Sequence, residues 1–182
     1  MDQTQFDRLQ ESVARALRDA NVNEKEAGSR TVEILGRIQD VHDPAAAQRD
    51  RELHPHVFDK NRFTAIPDGA LELVPALVKS ALALLAGRPE EALPELVGIL
   101  YRSRTLGIEI TVEEAAVLRV LKSAKTGGER SLPVVELLQR LNDEGIKPKE
   151  SIATLLERLR LRNTEKTKLV TEESERWSIG NV

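Results

Sequence analysis

The chain has 182 residues, of which 40% are hydrophobic and 31% charged, enough apolar material for one large core or two small ones. Aromatic residues make up only 3%, so any core has to be built from Leu, Val, Ile and Ala, which suits helix packing better than a β-sandwich. The lack of cysteine excludes disulfides, thiolate-bound zinc, iron–sulfur clusters and thiol nucleophiles, and the formal net charge is a mild −3.

Taken in chain order, Thr4 is a capping residue for a helix running to about Asp19, with Phe6, Leu9, Val13, Ala16 and Leu17 on one face. Asn23 and Glu26 cap a second helix carrying Ala27, Ile34, Leu35, Ile38 and Val41, and the two read as an αα-hairpin. From residue 42 to 69 the periodicity breaks at Pro44, Pro55, Pro67 and Gly69, which predicts a loop or lid with at most a short helix over 45–53. Residues 70–86 are apolar nearly all round and predict a buried central helix stopped by Gly87. That run is interrupted by Glu72, Pro75 and Lys79, so it falls short of the roughly 18 apolar residues a bilayer span needs. The N-terminal Met1-Asp2-Gln3-Thr4-Gln5 lacks the basic and apolar regions of a signal peptide, and a soluble, cytoplasmic protein is expected. Pro89 then opens an amphipathic helix from Glu90 to about Arg104.

Thr111-Val112-Glu113-Glu114 is a T-x-x-E capping box, followed by Val112, Ala115, Leu118 and Leu121 on one face and a stop at Gly127-Gly128. Lys125-Thr126-Gly127-Gly128 has phosphate-loop residues without their order, so it is a helix end and not an anion cradle. Ser131-Leu132-Pro133 starts a second helix with Val134, Leu137, Leu138 and Leu141, ended by Gly145. Pro148 opens a third, carrying Ile152, Leu155, Leu156 and Leu159. After Asn163, residues 168–170 and 176–179 read as strands around a polar segment at 171–175.

Three helices followed by a hairpin, over roughly residues 111–181, resemble the winged-helix (winged helix-turn-helix) superfamily. The resemblance implies a mainly α protein with a helical domain, 1–110, and a winged-helix domain, 111–182, that ends in a small β-hairpin wing. The 106–110 connection is short and apolar, which predicts that the helical domain packs on the winged helix. Members of the superfamily read DNA, usually with the third helix in the major groove, or connect proteins within larger assemblies.

Charge is unevenly spread: residues 1–110 hold 14 Lys/Arg against 18 Asp/Glu, and residues 111–182 hold 13 against 12. Residues 147–168 concentrate Lys147, Lys149, Arg158, Arg160, Arg162, Lys166 and Lys168 against Glu150, Glu157 and Glu165. With Ile152, Leu155, Leu156 and Leu159 inward, a rotation of about 100° per residue sends Glu150, Thr154, Glu157 and Arg158 outward, Lys149 and Arg160 to one flank and Arg162 to the other. These seven basic residues and Thr154 are the candidate nucleic-acid contacts. Glu150 and Glu157 on the same face, and an acidic turn at Glu172-Glu173-Ser174-Glu175, oppose phosphate binding and make Glu150 and Glu157 candidate protein contacts. Trp177 is a third candidate contact, although closing the wing over the third helix is its preferred role.

His42, His54 and His56, with Asp43 and Asp59 nearby, have no ligand spacing of the H-E-x-x-H kind, and no metal is expected. No G-x-S-x-G elbow or G-x-G-x-x-G loop is present, so neither a catalytic site nor a cofactor is expected. The resemblance thus implies a non-enzymatic winged-helix subunit that works by protein–protein contacts in a larger assembly, with or without DNA beside it, by fold-level analogy to the accessory subunits of chromosome-organising or defence ATPase assemblies. Its partner would be another protein or a second copy, with no membrane role. The alternative is a transcription regulator that binds double-stranded DNA and uses its helical domain to dimerise or sense a ligand.

Overall fold

A computed structural model describes residues 3–42, 71–87, 91–165 and 167–180. The chain divides into two compact units, Met1–Thr105 and Leu106–Val182. Seven helices and one small antiparallel sheet make up the described residues, and the sheet lies near the C-terminus. No described helix is long and apolar enough to cross a membrane.

The first unit contains α1 (Gln3–Asp19), α2 (Glu24–His42), α3 (Val74–Leu84) and α4 (Ala92–Thr105). α1 already includes Thr4, whereas α2 is capped as its sequence predicts. The Asn23 side chain accepts from the Glu26 amide at 2.9 Å, and the Glu26 carboxylate accepts from Asn23 Nδ2 at 3.1 Å. Phe6, Leu9, Val13, Ala16 and Leu17 of α1 and Ala27, Ile34, Leu35 and Ile38 of α2 are all buried.

The expectation for the next two helices has to be exchanged. α3 is one-sided: Val74, Leu77, Val78, Ala81 and Leu82 are buried, while Ala76, Lys79, Ser80 and Ala83 are exposed. α4, expected to be amphipathic, is buried from Ala92 to Tyr101 except at Glu95, because it packs against both α2 and α3. Two alanines on the solvent side make α3 read as apolar all round. In α4, small residues such as Ala92, Gly98 and Ser103 let it fit between two neighbours. Ser103 Oγ donates to the Leu100 carbonyl at 2.9 Å, and Tyr101 is also buried. The 43–70 segment and its expected loop, with His54, His56, Asp43 and Asp59, lie outside the described residues, as does the side chain of His42.

The second unit runs α5 (Val112–Thr126), β1 (Leu132–Pro133), α6 (Val134–Asp143), α7 (Ile152–Leu161), β2 (Val170–Glu173) and β3 (Arg176–Ile179). The three strands form one antiparallel sheet in the order β1-β3-β2. β1 pairs Leu132 with Trp177, and β2 pairs Glu172 with the same residue, so Trp177 sits in the middle strand.

Three boundaries differ from the sequence reading. Ser131-Leu132-Pro133 is not a helical start: the proline keeps Leu132 extended, β1 forms there, and Pro133 precedes α6 with ψ at 156°. α7 begins at Ile152 and not at Pro148, since Ser151 Oγ accepts the Thr154 amide at 3.1 Å and fixes the start. The hairpin is tighter than expected, because β2 runs from Val170 to Glu173 in place of the expected strand over 168–170, and only Ser174-Glu175 turn. Both turn residues have positive φ, 51° and 62°, the two-residue geometry that matches strand twist.

Asn163 locks the hairpin back onto the end of α7. Its Nδ2 donates to the Val170 carbonyl at 2.8 Å and its Oδ1 accepts from the Leu169 amide at 2.6 Å. After β3, the Gly180 amide donates to the Leu169 carbonyl at 2.9 Å, and a Cβ at Gly180 would lie 2.0 Å from the Lys168 carbonyl oxygen. Only glycine fits that approach.

Candidate functional site

The face around α7 holds most of the candidate residues, and its geometry is set from α5. Thr111 and Glu114 form the capping box: the Glu114 amide donates to Thr111 Oγ1 at 3.2 Å and the Thr111 amide donates to Glu114 Oε2 at 2.7 Å. Glu114 is 0% exposed, an expensive place for a carboxylate without compensation. Two guanidiniums from α7 and its C-cap provide it. Arg158 Nε donates to Glu114 Oε1 and Arg162 Nη1 to Glu114 Oε2, each at 2.6 Å. Burial pushes this carboxyl up, but the Thr111 amide and the two arginines outweigh it and hold the group below the ordinary range.

Its neighbour grips the other end of the same helix. Glu113 Oε2 accepts from the Lys149 amide at 3.2 Å and from the Glu150 amide at 3.5 Å, just before the Ser151 cap. Two consecutive glutamates of α5 thus fix both the approach to α7 and its end. The capping box marked Glu114 in the sequence, but its partners lie 44 and 48 residues away, beyond any local signal.

The remaining arginine of α7 is also matched to carboxylates. Arg160 Nε donates to Glu157 Oε2 at 3.0 Å, and its Nη1 lies 3.6 Å from Glu172 Oε2 on β2. Arg158 makes a second contact, Nη2 to Glu150 Oε1 at 3.0 Å, and Glu150 and Glu114 together raise its pKa further. Arg158 and Arg162, expected on the outer face and its flank, are therefore turned back towards α5, drawn by a buried negative charge. Glu150 and Glu157 are ion-pair partners of Arg158 and Arg160.

The other candidates divide as follows. Thr154 is exposed, but its hydroxyl lies 2.7 Å from Ser151 Oγ within the cap. Lys147, Lys149 and Lys168 are exposed, and Lys166 lies outside the described residues. Trp177 is 4% exposed, which corrects its candidacy as a surface anchor: as placed, it is core of the sheet. Large apolar side chains are exposed in the same unit, Leu161 at 81%, Val135 at 77% and Leu138 at 43%, so Leu138 departs from the apolar series expected to be buried in α6. The outer side of α7 therefore presents Ala153, Thr154, Arg160 and Leu161, a mixed surface of low positive charge.

Compared with known protein families, curated proteins and solved structures, the chain matches none.

Proposed function

We propose that the protein is a non-enzymatic subunit that works through protein–protein contacts, and that its C-terminal unit is a winged helix. The helix-strand-helix-helix-strand-strand order and the β1-β3-β2 sheet support the superfamily assignment. The observation that carries the functional reading is that Arg158, Arg160 and Arg162 are all engaged by carboxylates of the chain itself. Phosphate binding at this helix would have to compete with Glu114, Glu150, Glu157 and Glu172, and each lost pair subtracts from the gain of a new one. The acidic hairpin, with Glu172, Glu173 and Glu175, adds repulsion towards a phosphate backbone. Exposed Leu161, Val135 and Leu138 suit a protein surface better than a polyanion.

The transcription-regulator alternative loses the three arginines of α7 and its C-cap to these pairs, which leaves the exposed Lys147 and Lys149 as a thin set for groove binding. Titration of the full chain against labelled duplexes of varied sequence, at physiological salt, separates the two. Weak, unselective binding is expected. Micromolar or tighter, sequence-selective binding would overturn the protein-contact reading.

A further inference from the structure

α6 carries two apolar faces where packing needs one. Leu137 and Leu141 are fully buried and tie it to the core of the C-terminal unit. Val135 and Leu138, one turn apart, face away from that core, and Gln139 and Asn142 extend their side of the helix in exposed positions. Pro133, Val135, Glu136, Gln139, Arg140 and Asp143 line a shallow hollow of about 450 Å³ beside them.

The charges around this hollow do not balance. Arg140 Nη2 is taken up by Glu129 at 2.6 Å and by Glu136 at 2.5 Å, two carboxylates on one guanidinium. Asp143 adds a further negative charge and has no ion pair among the described residues. The acidic groups therefore lie along one flank of Val135, while Arg176 of β3, paired opposite Pro133, is hydrogen-bonded to Ser131 at the β1 edge. Two copies set face to face would oppose acid to acid. Two apolar side chains also fall far short of the roughly 800 Å² per partner that a stable globular interface buries.

We propose that this α6 face docks a short basic segment of another protein, which places an apolar side chain against Val135 and Leu138 and Lys or Arg against Asp143, Glu136 and Glu129. Docking of this kind follows the helix-in-groove pattern, with a few apolar anchors and charges that set orientation. The proposal rests on the protein-contact reading above and names the surface and the chemistry of the partner.

The test is amide-resolved NMR on the full chain, titrated with a helical peptide that has leucines on one side and lysines on its flanks. Saturable shifts are expected around Val135, Leu138, Gln139 and Asp143. Val135→Asp and Leu138→Asp, both at exposed positions, should abolish them without loss of helical circular dichroism. Asp143→Lys should weaken the lysine peptide by about tenfold and improve a glutamate version of it. Three results would overturn the docking site: no localised shift at millimolar peptide, equal binding of the glutamate peptide by the unaltered chain, or concentration-dependent broadening of the α6 signals without peptide, which would show self-association. Duplex DNA added to the same sample keeps the two claims apart: sequence-selective shifts confined to α7 would remove the protein-contact reading and leave the α6 result standing on the peptide data.

Discussion

Glu114 is the residue on which the C-terminal unit turns, because one buried carboxylate receives the Thr111 amide and two guanidiniums. Glu114→Gln keeps the shape but removes the charge. It is expected to cost about 2 kcal/mol, less than the roughly 3–5 kcal/mol of a fully buried pair, since the side chains of Arg158 and Arg162 are 34% and 31% exposed and can turn to water. The sign of the pH dependence follows from the lowered pKa. The ionised form is favoured by folding, so its contribution is complete above the ordinary glutamate value, about 4.3, and is lost as pH falls through the depressed value of the folded chain. Urea denaturation as a function of pH should show this acid loss in the unaltered chain and a smaller one in Glu114→Gln. Trp177 offers a second test at the same scale. Its burial in the middle strand predicts blue-shifted emission and a cost of roughly 3–5 kcal/mol for Trp177→Ala, measured by the same denaturation. Emission like that of free tryptophan would mean that β3 is misplaced.

Elements were legible where the signal was local. The cap at Asn23, the capping box at Thr111, the glycine stops at Gly87, Gly127-Gly128 and Gly145, and the buried stripe of α7 were all visible in short windows of sequence. β1 escaped because a two-residue strand has no periodicity, although Pro133 carried a hint by keeping Leu132 extended. The exchange between α3 and α4 escaped because hydrophobicity alone does not say which helix has neighbours on two sides. The engagement of Arg158 and Arg162 escaped because nothing near either residue announces a buried carboxylate in another helix. The hairpin turn was blurred for a further reason: Ser174 and Glu175 both adopt positive φ, yet neither is the Asn or Gly that usually signals it. This leads to an expectation for the element itself. Replacing Ser174-Glu175 with Asn-Gly should relieve the left-handed strain and stabilise the C-terminal unit by about 1 kcal/mol. An unchanged or lowered melting temperature would show that the turn is not the one described.

At the scale of the molecule, the chain is two compact units, each with its own buried core. The partners of Glu114, Trp177 and Asn163 described above all lie within 106–182, so that fragment is expected to fold alone and keep the Trp177 emission of the full chain. A red-shifted, non-cooperative fragment would show that the C-terminal unit depends on residues before it. The chain also has one tyrosine and one tryptophan, and they fall in different units. Burial raises the Tyr101 phenol to about 12. Folding favours its neutral form, so its contribution is fully present below about 10, the ordinary phenol value, and fades as pH rises through about 12. Alkaline absorbance therefore reports the opening of the first unit, and indole emission reports the second. Without any label, the protein is its own two-channel optical probe.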